Sequence, residues 1–152
     1  MPQPIIWLHG DSLSPHDPAL QANPQAPVIF VFDEPFLRTA GLSFKRLLFI
    51  YECAIEAMEG RNGEIRRGEV VADLLDFARR HHADEIHVSA SVSPRFQHYL
   101  AELRRHISVS LHDQPALVEW KAAAPQRFSR FWRKIEDQAL RPNGGGPPEF
   151  EA

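Results

Sequence analysis

Val28-Ile29-Phe30-Val31-Phe32 is an unbroken run of β-branched and aromatic residues, closed by Asp33-Glu34-Pro35. Such a run has no water-facing side, so it reads as a strand covered on both faces. Ile5-Ile6-Trp7-Leu8 is a second run of this kind, ending in the turn-rich His9-Gly10-Asp11-Ser12. Seven of the 13 prolines lie in the first 35 residues and none lies between Phe36 and Ser93, so helices are expected in that proline-free middle.

The middle alternates. From Ser43, Leu47, Tyr51, Ala54 and Met58 fall on one helical stripe with Leu48 and Ile55 beside it, and Gly60 and Gly63 end it. Glu64-Ile65-Arg66-Arg67 is a short strand candidate. After Gly68, Val71, Leu74, Leu75 and Ala78 mark another helix, with Glu69 suited to its positive N-terminus. Glu85-Ile86-His87-Val88-Ser89 reads as a strand. Ser93-Pro94 is an N-cap and first-turn proline for a helix that buries Phe96, Tyr99, Leu100, Leu103 and Ile107. Ser108-Val109-Ser110-Leu111-His112 is the last strand. Strands separated by helices imply parallel pairing with right-handed crossovers. The expected fold is α/β: a doubly wound, five-stranded parallel sheet, Rossmann-like or flavodoxin-like, in three α/β/α layers.

In such sheets ligands sit beyond the carboxyl ends of the strands, where strand order reverses. With the order 3-2-1-4-5, His9, Gly10, Asp11 and Ser12 face Ser89 and Ser91 across that crevice, and Asp33 and Glu34 lie at one side. The set is small, polar and rich in hydrogen-bonding groups, which suits the edge of a flavin, nucleotide or pterin. Asp11 and Ser12 are also residue types that cap turns.

Composition narrows the field. The chain has 152 residues, 17 Lys plus Arg against 20 Asp plus Glu, and one cysteine, Cys53. A disulfide framework is excluded, and the net charge of −3 argues against direct nucleic-acid binding. No apolar run approaches ~20 residues, so no membrane crossing is expected. Met1-Pro2-Gln3-Pro4 lacks the pattern of a signal peptide, and a cytoplasmic location is expected. No metal site is expected either: His81 and His82 are adjacent at a helix end, His87 and His112 lie on different strands, and His98 and His106 lie on an exposed helix face.

Three stretches follow: residues 1–120 as the α/β domain, 121–140 as an amphipathic helix, and 141–152 as a flexible Gly/Pro tail. The helix carries Phe128, Phe131, Trp132 and Ile135 on one face, flanked by Arg127, Arg130, Arg133 and Lys134. That face either packs on the sheet or docks in a partner's groove.

Two family resemblances bear on function. Gly10-Asp11-Ser12-Leu13-Ser14 is similar to the nucleophile block of the GDSL hydrolases. The one Asp-x-x-His, Asp84-Glu85-Ile86-His87, would then supply His87 as base for Ser12, making a small serine esterase the alternative reading. The resemblance that covers more of the chain is to the photolyase/cryptochrome family. Trp7-Leu8-His9-Gly10-Asp11 with Pro18-Ala19-Leu20 resembles that family's Trp-Phe-Arg-Arg-Asp … Asn-Pro-Ala-Leu opening. Arg46 through Cys53, Ile65-Arg66-Arg67-Gly68-Glu69, Ala83 through Val88 with Pro94, and Phe128 through Arg133 resemble later segments, in order. The resemblance implies that family's N-terminal domain standing alone, without the FAD-binding helical domain. It is therefore expected to be non-catalytic on its own. It also implies a folate, flavin or deazaflavin antenna, a separately encoded FAD-binding partner, and a place in light sensing or DNA repair.

Overall fold

The computed structural model describes residues 3–123 and 125–140. Its elements are β1 Ile5–Leu8, α1 Pro18–Ala22, β2 Val28–Asp33, α2 Glu34–Ala40, α3 Phe44–Ala57, β3 Gly63–Gly68, α4 Val70–Arg80, β4 Glu85–Ser89, α5 Pro94–Leu103, β5 Ser108–His112 and α6 Phe128–Ala139. Two compact units divide after Gln114.

In the first unit the five strands are all parallel, in the order β3-β2-β1-β4-β5. Ile6 sits between Val28 and His87, and Trp7 between Ile29 and Val88. The alternation of the central strands serves two cores. Ile5, Trp7, Ile29, Val31, Ile86 and Val88 pack beneath α4 and α5, against Leu74, Phe77, Phe96, Leu100 and Leu103. Ile6, Leu8, Val28 and Phe30 pack on the opposite face against Ala19, Leu20, Ala54, Ala57 and Met58. Each large side chain so buried contributes roughly 1.5–3 kcal/mol. The doubly wound α/β/α fold expected from the sequence is the fold observed.

Local chemistry explains where the helices begin. Asp17 caps α1 by accepting the Leu20 amide at 3.0 Å, with Pro18 in the first turn. Asp33 caps α2 by accepting the Phe36 amide at 3.2 Å. This helix was not expected, because Asp33-Glu34-Pro35 reads equally as a turn and as an N-cap followed by a proline. Ser93 stands at the N-cap of α5 without a side-chain cap bond, and its amide donates to the Ser91 hydroxyl at 3.0 Å. Glu69 likewise precedes α4 without capping it.

Edge strand β3 is tied to α4 by charge. Arg66 donates to Asp73 at 3.1 Å and Asp76 at 3.0 Å, and also pairs with Glu64. A side chain at Gly68 would collide with the Asp73 carboxylate.

Helix α3 departs from its expected stripe. Ala54 and Met58 are buried and Leu47 is half-buried, but Tyr51 is exposed together with Leu48 and Ile55. No helix among the described residues is long and apolar enough to cross a membrane.

In the second unit α6 begins at Phe128 rather than near Ala122. The Trp120 ring meets Phe131 edge-on at 4.9 Å, Phe128 stacks on Trp132 at 5.8 Å, and Lys134 lies 5.9 Å from the Trp120 ring. Ile135 is buried, and Phe128 is exposed. The tail expected over 141–152 lies outside the described residues.

Candidate functional site

Beside the reversal of strand order between β1 and β4, the carboxyl ends of β1 and β2 and the starts of α4 and α5 enclose a slot. It is lined by Trp7, His9, Gly10, Asp11, Val31, Asp33, Val70, Ser93, Arg95, Phe96 and Tyr99, and its volume is about 50 Å³. Beside it, sharing Asp11 and Ser93, a shallower depression of about 610 Å³ runs over Ala90, Ser91, Val92, Gln97 and Gln114. Water needs roughly 10–15 Å³ of such space, so the slot by itself holds a few waters and the edge of a larger molecule.

His9 is part of the frame. Its Nε2–H donates to the Ser89 carbonyl at 2.7 Å, and its Nδ1 accepts the Asp11 amide at 3.3 Å. Burial, outweighing the Ser89 bond and the nearby Asp11 and Asp17 carboxylates, holds the imidazole below its ordinary pKa. His9 is therefore neutral at pH 7, as its two hydrogen bonds require. Ser89 is fully buried; its hydroxyl accepts the Ala19 amide at 3.1 Å, which fastens α1 to β4.

The rim differs from the frame. Gly10 faces open space, with no atom within 4 Å of where a Cβ would stand. The Asp11 carboxylate is exposed and accepts the Ser91 hydroxyl at 2.6 Å, bridging the ends of β1 and β4. Across the slot, Tyr99 donates to Asp33 at 2.7 Å, and Arg95 approaches Asp33 at 3.8 Å while lying 3.5 Å over the Phe36 ring. Burial and the Asp33 bond push the Tyr99 phenol up to about 12, so it remains a donor.

The structure thus brings together most of the sequence-selected residues and separates their roles. His9, Gly10, Asp11, Asp33 and Ser91 stand around the crevice. Ser12 and Ser89 are internal struts. Glu34 is drawn off to Arg38 and Arg67, whose guanidinium groups hold its carboxyl below the usual range. Sequence reasoning missed Arg95 and Tyr99 as rim residues. Their signal was positional: they lie in the first two turns of a helix that opens directly at the crevice.

The hydrolase reading fails on geometry. The Ser12 hydroxyl donates to Asp17, whose other oxygen caps α1, and accepts from Gln114 at 2.7 Å. His87 is engaged elsewhere. Its Nδ1 lies 2.8 Å from both Asn23 and His112 Nε2, and its Nε2 faces Glu85 at 3.3 Å. The Ser12 proton therefore goes to a capping carboxylate rather than to an imidazole base. His87 and His112 lie on different strands, as expected, and they meet because β4 and β5 are neighbours. Among the described residues no group of three or more His, Cys, Asp or Glu is placed to hold a metal ion.

No protein-family model and no curated protein matches the chain. Among solved structures it is similar to a universal stress protein in complex with cAMP, with 14% identity and a TM-score of 0.39, covering 75% of this chain and 98% of that one. The comparisons give the photolyase/cryptochrome resemblance no support, and the function drawn from it, with its place in light sensing or DNA repair, does not stand. They support the GDSL esterase reading no better. The residues behind the photolyase resemblance have ordinary duties in a doubly wound sheet. Pro18-Ala19-Leu20 starts a capped helix, Arg66 ties an edge strand to α4, and Pro94 opens α5.

Proposed function

We propose that this chain is a non-catalytic, cytoplasmic ligand-binding protein whose crevice takes the edge of a planar heteroaromatic molecule of nucleoside, pterin or flavin type. The observation that carries the reading is the rim at the reversal of strand order. An exposed Asp11 carboxylate and the unobstructed Gly10 backbone stand opposite the Asp33–Tyr99–Arg95 group, over apolar walls of Val31, Val70 and Phe96. Two carboxylates against one guanidinium favour a ligand edge bearing N–H donors over a phosphate group. The slot admits that edge, and the depression beside it leaves room for the rest of the molecule. The non-catalytic reading is supported by Ser12 and His9, the two residues at the strand end best suited to nucleophile and base. Each is committed to internal hydrogen bonds.

Titration calorimetry with adenosine, riboflavin and folate tests the proposal. We expect one probe to bind with micromolar affinity, and Asp11→Asn to weaken it about tenfold or more through loss of a charge-assisted hydrogen bond. Absence of heat with all three probes up to millimolar concentration overturns the reading.

A further inference from the structure

Helix α3 leaves five large apolar side chains exposed, of which Phe49 stands apart and the other four share one side. Phe44 is 77% exposed, Leu48 43%, Tyr51 44% and Ile55 47%. Their spacing of four, three and four residues places them on one side of the helix, in the seam positions of a helix pair. The inward side is occupied by Ile50, Ala54, Ala57 and Met58, so the outer stripe is a second apolar surface on the same helix. Contiguous exposed apolar residues of this kind mark an interaction site.

The stripe also reads the same in both directions. Phe44 and Ile55, and Leu48 and Tyr51, are equidistant from a point between Phe49 and Ile50. A two-fold interface requires each residue to meet the counterpart of its own partner, which this spacing satisfies when the two helices run antiparallel. Phe44 then meets Ile55 of the other copy, and Leu48 meets Tyr51. Charge agrees with that register. Lys45 follows Phe44 and Glu52 follows Tyr51, both exposed and both in the position flanking the seam, so each lysine faces a glutamate across the axis.

We propose that α3 is a self-association surface, on which a second copy of this chain docks through an antiparallel α3–α3 pair sealed by two Lys45–Glu52 ion pairs. The docked helix also closes the apolar cleft of about 430 Å³ that Phe44, Leu48 and Tyr51 line together with Phe32, Leu37 and Leu47. The seam runs only about 16 Å, at 1.5 Å of helix rise per residue, so a reversible dimer is expected rather than an obligate one.

Sedimentation equilibrium of the full chain, from about 1 to about 300 µM, reads the association directly. We expect a monomer–dimer equilibrium within that range. Lys45→Glu places like charges at both flanking contacts and should raise the dissociation constant about tenfold or more. The same substitution adds an acidic residue to the first turn of α3, which the helix dipole favours, so loss of the dimer will not reflect loss of the helix. Combining Lys45→Glu with Glu52→Lys should restore association. A monomer throughout the range, a dimer indifferent to Lys45→Glu, or a double variant that fails to recover would each overturn the proposal.

Discussion

Helices α3 and α4 cover opposite faces of one sheet, and they use their side chains in opposite ways. Helix α4 sends Leu74 and Phe77 into its core, each at most 1% exposed. Helix α3 is longer, yet it buries only the small Ala54 and Ala57 within its own span and leaves Phe44, Leu48, Phe49, Tyr51 and Ile55 exposed. Burial of large apolar groups drives folding, so a helix that hides alanines and displays aromatics holds its largest hydrophobic surface outside the fold. Local packing accounts for α4 completely. It accounts for only half of α3.

The strongest way to test the contrast is on the packed side. Phe77→Ala should destabilise the protein by about 3–5 kcal/mol, since it removes a fully buried ring and leaves a cavity. Urea unfolding followed by far-ultraviolet circular dichroism reads this, and a loss below about 1 kcal/mol would show that the α4 face is not the rigid one. Asp17→Ala should cost about 1–3 kcal/mol in the same assay, because it removes the cap of α1 and leaves the buried Ser12 hydroxyl without its acceptor. Leu48→Ser, on the open side, should change monomer stability by no more than about 0.5 kcal/mol. A larger loss measured at low protein concentration would mean that the α3 stripe is needed for folding after all.

The smallest effect should come from pH. His9 and His112 both have pKa values held below 6.5, first by burial and, at His112, also by the neighbouring His87. The unfolded chain then binds more protons than the folded one as pH falls below that value, so this stability is complete above it and declines toward the folded pKa values. Melting temperature should fall on moving from about pH 8 to about pH 5.5, and His9→Gln should flatten the slope. A flat wild-type profile would contradict the neutral, strut-like role of His9.

How much of this was legible follows the range of the interactions. Strand runs such as Val28–Phe32, and the helix start at Ser93-Pro94, are local patterns, and they led to the correct doubly wound α/β fold, with the strand order 3-2-1-4-5 taken only as a condition. The crevice was placed because sheet topology determines where strand ends converge. Helix α2 was missed because one tripeptide serves both a turn and a cap. The pairing of His87 with His112 depends on which strands are neighbours, as does the bond from Tyr99 to Asp33, 66 residues apart. Family resemblance misled for a related reason: capped helix starts and arginine-tied edge strands recur wherever this architecture does.

From the sequence by itself came the period of its hydrophobic residues, and with it the alternation of strands and helices and the parallel sheet. Side-chain type also marked the polar turn after β1 as a place where a ligand could be met. Only the tertiary structure decided which polar residues there are struts and which are rim. It assigned Ser12 to Asp17, His9 to Ser89 and Glu34 to two arginines. It also decided which side of α3 faces the sheet. The physical reason is that periodicity identifies apolar faces, whereas burial depends on what stands opposite them in space.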